Sequence, residues 1–318
     1  METIRDMRIR LKSIGSTKQI TQSMRLISTS KVQKIKKRME ANRPYYEKYV
    51  KMVDSMINDL QFKFIEHTYI VGNSKYSKEN KDNSDRSLII VIAGDRGLCG
   101  SYNINAEKEA HTLMRKLGGA QLITIGAKGR EYFRRRQKKV VQSFKGLSES
   151  PFYEDAQNIG AAAIKMYDDK IVDEVYLVYT EYNSMLSQSP KSVRLLPLDK
   201  LYIKNTENTE NIEEKPEDDI EQTAEQRNET GLSNMNYDTD IELFFTNAVS
   251  AYIYSVIFSS MLESAVCEQC ARIMGMDSAS KNSDKMIDSL TLQYNQMRQS
   301  LITQEIAEIV GGANTSKS

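Results

Sequence analysis

The stretch "IRDMRIRLKSIGSTKQITQSMRLISTSKVQKIKKRME" (residues 4–40) spaces its apolar side chains in the way that a long helix does. Steps of three and four residues, with small phase slips, connect Ile4, Met7, Leu11 and Ile14, then Ile20, Met24 and Ile27, then Val32, Ile35 and Met39. This spacing predicts an apolar seam along one face of a helix that must pack against a partner. Pro44 predicts a kink or break, after which the pattern resumes as far as Leu60.

A second long helix is predicted near the other end of the chain. Residues 240–310 contain no proline, and apolar or small residues recur there at helical spacing. The polar run "DSASKNSDK" (277–285) predicts a break in that helix. Because the two long helices lie at opposite ends of the sequence, each is the natural partner for the seam of the other.

Between them, strand-like and helix-like segments alternate. Short apolar runs predict strands at 88–93, 121–125, 140–144, 173–181 and 191–197, and helices near 103–117, 128–136 and 154–168. This alternation is typical of an α/β domain with a largely parallel sheet. We therefore predict an N-terminal coiled-coil helix (1–60), a linker (61–87), a Rossmann-like α/β domain (88–200), an acidic loop (201–238) and a C-terminal coiled-coil helix (239–318). The fold class is a mixture of α+β and α/β.

Charge is distributed unevenly although the whole chain carries only +1. Residues 1–52 hold 14 Lys or Arg and 4 Asp or Glu, whereas residues 205–230 hold 10 acidic and 2 basic side chains. The first segment should favour an acidic partner, and the second should remain solvated. The N-terminus has no apolar signal core, and serines dilute the uncharged run 246–262 below a membrane span. We expect a cytosolic protein with no direct membrane span and with reduced cysteines.

The segment "IIVIAGDRGLCGSYN" (89–103) places three glycines after a strand and before a helix, as nucleotide-binding loops do. A dinucleotide site also needs a carboxylate at the end of the second strand, but "IGAK" (125–128) offers none. A nucleotide-binding α/β enzyme remains one alternative. A nucleic-acid-binding protein that uses its basic first helix is another, although no base-reading motif accompanies that helix.

Three stretches resemble the γ subunit of F-type ATP synthases: "IRLKSIGSTKQITQSMRLISTSKVQK" (9–34), "DRGLCGSYNIN" (95–105) and "LTLQYNQMRQSLITQEIAEIVGGA" (290–313). The resemblance implies an antiparallel coiled coil with an α/β domain at its foot. It also implies that the C-terminal helix continues through 277–285, in contrast to the break that the polar run predicts. It also implies a rotor without a catalytic site, cofactor or metal of its own, which couples ion flow through a membrane c-ring to ATP synthesis on the β subunits. The implied partners are the α, β and ε subunits and the c-ring, and no nucleic acid. The implied location is peripheral, on the cytoplasmic face of a bacterial-type membrane.

The resemblance also implies which residues contact the β subunits. Met24, Arg25 and Lys31 match the part of the first helix that meets an acidic lever segment of β. Arg298, Gln299 and Thr303 match a catch on a β loop. Arg96 and Cys99, in the glycine motif, match a loop that faces the β lever.

Two further features have a simple and a more specific interpretation. Cys267 and Cys270 have the spacing of half a metal or redox site, but they lie in a predicted helix without a second pair. We interpret them as reduced thiols packed in the core. The acidic loop is interpreted as a solvated tether, with a regulatory contact to ε or the c-ring as the alternative.

Overall fold

A computed structural model describes residues 3–58, 67–73, 86–198 and 241–315. Its elements, in chain order, are α1 (Ile4–Asn58), α2 (Thr68–Val71), β1 (Ser87–Ile92), α3 (Tyr102–Lys116), β2 (Gln121–Ile125), α4 (Ala127–Arg135), β3 (Val140–Phe144), α5 (Tyr153–Asp168), β4 (Glu174–Tyr182), β5 (Gln188–Leu196) and α6 (Ile241–Thr315). The acidic loop predicted at 201–238 and most of the linker predicted at 61–87 lie outside the described residues.

The chain divides into two compact units. The helix-pair unit comprises Met1–Val32, Leu98–Gly100 and Gln269–Ser318, and the sheet unit comprises Gln33–Gly97 and Ser101–Glu268. The two long helices α1 and α6 each contribute one part to each unit.

The sheet unit contains a five-stranded sheet in the order β3-β2-β1-β4-β5. The first four strands are parallel, and β5 runs antiparallel to β4. The predicted largely parallel sheet is therefore confirmed. Strand β1 is buried along nearly its whole length because it is the central strand and is covered on both faces.

Helices cover the two faces of this sheet differently. One face packs against α3 and α4 through side chains such as Val91, Met114 and Phe133. The other face packs against α5 and against the segments of α1 and α6 that belong to the sheet unit, in a larger core that includes Val53, Ile257 and Tyr167. The amphipathic spacing of these segments places their apolar residues toward the sheet, which buries them from water.

Both long helices are continuous where the sequence predicted interruptions. Helix α1 runs through Pro44, so the break, one of the two alternatives predicted there, is wrong. Helix α6 runs through 277–285 for a total length of 75 residues, as the family resemblance implied, so the break predicted from the polar run is wrong. The polar run does not end α6 because its small members Ser280 and Ser283 are themselves buried. A seam can therefore be made of small polar side chains as well as apolar ones.

The predicted seam of α1 is correct at its start and wrong in its middle. Met7, Thr21 and Ser28 are buried at intervals of whole heptads, whereas Ile20 and Ile27 are 60% and 57% exposed. The true seam keeps a strict heptad phase through small polar residues. A pattern of apolar residues does not detect buried Thr and Ser side chains. The predicted seam was therefore shifted by one residue, onto the neighbouring isoleucines.

Helix α6 also contains an 18-residue window that is long and apolar enough to cross a membrane. However, 72% of that window is buried inside the protein. Burial of this extent is the behaviour of a core helix, in agreement with its place in the sheet unit.

Candidate functional site

The helix-pair unit is built on three polar contacts in a single antiparallel register. Arg8 Nη2 donates to the Tyr294 hydroxyl at 2.8 Å, Lys18 Nζ lies 2.5 Å from Asp284 Oδ1, and Arg25 Nη1 donates to Asp277 Oδ1 at 3.1 Å. Each advance along α1 is matched by an equal retreat along α6. The expected antiparallel pairing of the two helices is thus confirmed within this unit.

Small polar residues form part of the interface between these helices. Thr21 and Ser28 on α1 and Ser280 and Ser283 on α6 are all buried, and we call them the polar seam. The Thr21 hydroxyl donates to the Lys18 carbonyl at 2.8 Å, and the Ser283 hydroxyl donates to the Ala279 carbonyl at 2.9 Å. These two hydroxyls are therefore satisfied within their own helices. The same unit also buries large apolar side chains, namely Met7, Ile273, Met276 and Leu290.

Large apolar side chains of α1 point outward instead. Ile9, Ile20 and Ile27 are 57–60% exposed, and we call them the outward stripe. Intervals of 11 and 7 residues place all three on one side of the helix. Exposed apolar side chains that share one helix face mark a protein contact surface. The sequence pattern assigned two of them to the seam, so this surface was not predicted.

The far end of α6 extends beyond its partner helix. In the observed register, Ile4 near the start of α1 lies level with Arg298, and every residue from 298 to 310 is exposed. We call residues 298–310 the bare end. Its exposed large apolar residues are Leu301, Ile302, Ile306, Ile309 and Val310. A helix this apolar on its outside needs a covering partner.

The predicted contact residues of α1 have different surroundings. Met24 and Lys31 are half-buried. Arg25 is paired with Asp277, which also accepts from Lys281 at 2.8 Å. The hydrogen bond from Lys281, more than the contact with Arg25, lowers the pKa of the Asp277 carboxyl. Arg25 therefore already has a role within the chain, in fixing the register of the helix pair.

The predicted contact residues of α6 lie at the start of the bare end. Arg298, Gln299 and Thr303 are exposed. The Thr303 hydroxyl donates to the Gln299 carbonyl at 2.9 Å. The guanidinium of Arg298 is directed to the surface, where it can form a two-pronged contact with a carboxylate.

In the sheet unit, the glycine motif is held together by Asp95. Its carboxylate accepts from the Ala127 amide at 3.0 Å and from the Ser148 amide and hydroxyl at 3.2 and 3.0 Å. Burial opposes ionisation, but these bonds and one from the Gly146 amide together lower the pKa of Asp95. Asp95 thus ties the end of β1 to two other loops, a role that sequence reasoning did not assign to it.

The space beside Gly94 is occupied by side chains of the same unit. Asn103 Oδ1 accepts from the Gly94 amide at 2.7 Å, and a Cβ placed on Gly94 would lie 2.9 Å from that oxygen and 3.0 Å from the Glu268 carboxyl carbon. Glycine is required by this close approach. These side chains fill the space beside Gly94 that a phosphate would occupy, which argues against the nucleotide-loop alternative.

Arg96 lies in the same motif and is largely exposed. Its side chain is 76% exposed, with Nε 3.7 Å from Glu149 Oε1, and the Arg96 carbonyl accepts from Asn103 Nδ2 at 3.2 Å. The backbone is therefore held while the guanidinium faces solvent. An exposed arginine on a fixed backbone is suited to a protein contact.

The tip of the motif belongs to the helix-pair unit and packs on α6. A Cβ on Gly275 would lie 3.7 Å from the Leu98 carbonyl oxygen and 3.8 Å from the Gly100 nitrogen. Cys99 is 2% exposed, so its side chain supports this packing. Cys267 and Cys270 are also buried thiols, and Cys267 Sγ donates to the Thr180 carbonyl at 3.6 Å. Among the described residues, no group of three His, Cys, Asp or Glu is placed to hold a metal.

Comparison with known proteins gives consistent results over the full chain. A family model described as "ATP synthase" matches residues 3–315. The chain is 37% identical to an ATP synthase gamma chain of Alkaliphilus metalliredigens, with 99% of both chains covered. It is 33% identical to the "ATP synthase gamma chain, sodium ion specific" of Acetobacterium woodii, with 98% of both covered.

Solved structures share the fold at lower sequence identity. The chain is similar to a chain of the Euglena gracilis mitochondrial ATP synthase, with a TM-score of 0.62, 17% identity, and 98% and 94% of the two chains covered. It is also similar to a chain from the central stalk and c-ring of the Tetrahymena thermophila enzyme, with a TM-score of 0.55, 19% identity, and 82% and 99% covered.

Proposed function

Because the chain belongs to the ATP synthase γ chain family, we propose that its helix-pair unit turns inside a ring of α and β subunits as the central shaft of the enzyme. The chain is a component of the ATPase complex and not its catalytic subunit. That complex is a peripheral, membrane-associated assembly. We further propose that the chain assembles with the α, β and ε subunits and the c-ring, and that the complex lies on the cytoplasmic face of the membrane.

The observation that carries this proposal is the apolar surface that the helix pair leaves exposed. Its interior combines the polar seam with buried apolar side chains, whereas the outward stripe and the bare end present large apolar side chains to the outside. Hydrophobic contact is non-directional, so such a surface can stay covered at successive angles of rotation. A shaft gripped by many directional bonds would instead be trapped at one angle.

Coupling requires that the shaft contact the β subunits unequally. A ligand or partner that interacts identically with two states cannot shift the equilibrium between them. The helix pair supplies this asymmetry because α6 continues alone past the start of α1, and the charged side chains lie on particular faces. Each β subunit then meets a different surface of the shaft in turn.

We assign the contacts with β to the predicted residues. Met24, Arg25 and Lys31 meet an acidic segment of β, and Arg298, Gln299 and Thr303 meet a β loop at the bare end. Arg96 contributes a contact from the sheet unit, and Cys99 contributes by holding the tip of the motif on α6. An exposed ion pair is worth about 0 to 1 kcal/mol, so these contacts can break at every step.

Co-purification tests the assignment to the complex. A tagged form of this chain should bring down α, β and ε subunits in a complex with one copy of the chain, and that complex should hydrolyse Mg-ATP. Recovery of the chain alone, or with nucleic acid in place of the ring subunits, would contradict it.

Substitution of Arg298 tests the proposed β contact. Arg298→Ala should reduce coupled ATP synthesis up to about fivefold, the loss that corresponds to one exposed ion pair of about 1 kcal/mol, while the complex assembles normally. Arg115→Ala, which removes an exposed arginine at the end of α3, is the matched control. Equal synthesis rates in both assembled variants would remove Arg298 from the mechanism.

A further inference from the structure

Helix α4 borders an open cavity in the sheet unit that is lined mainly by cationic side chains. The cavity has a volume of about 480 Å³, within the range of about 300–1,000 Å³ that is typical of small-molecule sites. Among the described residues that line it, Ala127 is uncharged, Glu131 is acidic and the other four are cationic, namely Arg130, Arg134, Arg135 and Lys145. The lining therefore carries a net charge of +3.

The sheet and the helix bring these cations together. The Gly126 amide donates to the Phe144 carbonyl at 2.8 Å, so Lys145, which follows β3, lies beside the start of α4. Arg130 and Arg134 are four residues apart and therefore share one face of α4. The cavity thus reaches the edge of the sheet where β2 and β3 end. Ligands of open α/β sheets bind at that edge.

Most of this positive charge is not neutralised within the sheet unit. Glu131 is shared between Lys128, at 3.2 Å, and Arg135, and the hydrogen bond from Lys128 is the main cause that lowers the pKa of its carboxyl. Glu131 therefore stays ionised, but one carboxylate balances only one cation. Within the described ranges, the cavity residues without an ion-pair partner are Arg130, Arg134 and Lys145.

The first amides of α4 are already used within the sheet unit. The Ala127 amide donates to Asp95 Oδ1 at 3.0 Å, and the Lys128 amide donates to the Gly94 carbonyl at 3.1 Å. Binding in the cavity therefore depends on cationic side chains and not on the helix terminus. The cavity is also separate from the space beside Gly94, which Asn103 and Glu268 fill.

We propose that this cavity binds a soluble oligophosphate, meaning a chain of two or more phosphate groups. Guanidinium groups bind phosphate oxygens through two parallel hydrogen bonds, and an oligophosphate places several negative charges in a small volume. The described lining contains no large apolar or aromatic side chain, so a nucleotide base or an acyl chain would find no contact there. A concave site of this size also favours a small ligand over a membrane surface.

Arginine footprinting of the assembled complex tests this inference. Phenylglyoxal modifies accessible guanidinium groups, and mass spectrometry gives the rate at each arginine. Without Mg²⁺, tripolyphosphate at about ten times its Kd should slow the modification of Arg130 and Arg134 about tenfold. ATP should protect them no better, because its base finds no contact. Arg115, exposed at the end of α3, is the internal reference and should not change.

Two double variants with the same loss of charge separate a defined site from general attraction. Arg134→Gln/Lys145→Gln removes two cavity cations and should raise the tripolyphosphate concentration that half-protects Arg130 about tenfold. Lys138→Gln/Lys139→Gln removes two exposed cations outside the cavity lining and should change that concentration less than about twofold. Both comparisons are made at about 0.15 M salt, where the Debye length is about 8 Å.

The proposal is overturned if tripolyphosphate does not protect Arg130, or if the two double variants weaken protection equally. Equal protection by citrate would mean that charge alone, and not phosphate, is recognised. Protection by ATP alone would assign recognition to the base, and protection by phosphatidylglycerol vesicles alone would make a lipid surface the occupant. An Arg130 that does not react in the free complex would mean that another subunit covers the cavity. All of these failures leave the rotor function intact, since none requires loss of assembly or of ATP hydrolysis.

Discussion

The same two helices are built in opposite ways in the two units. In the sheet unit, α1 and α6 bury large apolar side chains such as Val53, Phe245 and Ile257 completely. In the helix-pair unit, they bury small polar residues beside a few large apolar ones, such as Met276, and leave other large apolar side chains, such as Ile20 and Ile27, exposed. Full burial of a large apolar side chain stabilises by about 1.5–3 kcal/mol, so the first arrangement anchors the helices to a fixed body. The arrangement in the helix-pair unit leaves apolar surface exposed, where a partner can cover it.

The largest effect should come from removing one buried side chain in the anchored part. Ile253 is 1% exposed, and Ile253→Ala should destabilise by about 2–5 kcal/mol through lost burial and a cavity. Ile27→Ala, in the outward stripe, should change the stability of the free chain by no more than about 0.5 kcal/mol. Urea unfolding followed by tyrosine fluorescence measures both, because the chain has 17 Tyr and no Trp. Similar losses in the two variants would refute the contrast.

A second effect concerns the carboxylate that holds the glycine motif. Asp95→Asn should destabilise the sheet unit by about 1.5–3 kcal/mol at pH 7, the range for hydrogen bonds to a charged group. The lowered pKa of Asp95 means that this stability is fully present above the unfolded pKa of about 3.9. It is lost as the pH falls through the lower folded pKa. Unfolding curves of both proteins between pH 7 and 3 should therefore converge at the acid end.

Glu263 should give the opposite pH dependence within the anchored part. Burial, together with the nearby charge of Glu181, raises the pKa of this carboxyl to about 7. The folded state favours the protonated form, so stability falls as the pH rises from the unfolded pKa, about 4.3, to about 7. Glu263→Gln should remove this fall, with a gain on the order of 1–2 kcal/mol at pH 8 and almost none at pH 4. A pH-independent gain would exclude titration of Glu263 as the cause.

The smallest effect should come from the ion pair that bridges the helix pair. A double-mutant cycle of Arg25→Ala and Asp277→Ala should give a coupling energy of about 0 to 1 kcal/mol, because both side chains are substantially exposed. It should shrink further at high salt. A coupling energy above about 2 kcal/mol would mean that this ion pair, more than the packing of the interface, holds the two helices together, contrary to the expectation for an exposed pair.

The sequence predicted the α/β elements closely because their signals are local. The predicted strands at 121–125 and 140–144 agree with β2 and β3, since apolar runs bounded by turn residues define strands well. The predicted seam failed at Ile20 and Ile27, where the buried positions are Thr21 and Ser28. Small hydroxyl side chains fit a close helix interface but carry no apolar signal, so sequence spacing alone misassigned the face.

The site was predictable only in part for a related reason. Motif resemblance located the glycine loop, but the role of Asp95 depends on partners at Ala127 and Ser148, distant in sequence and close only in the fold. The outward stripe likewise depends on the register of α1 against α6. Neither long-range pairing leaves a pattern in a single sequence.

Single-molecule rotation tests the central claim most directly. The α/β ring of the assembled complex is fixed to a surface, and a bead is attached through a cysteine introduced at Lys108, an exposed position on α3. With Mg-ATP, the bead should turn continuously in one direction, and it should stop when ATP is removed. Steady ATP hydrolysis by complexes whose beads do not turn would contradict the account of this chain as the rotating shaft.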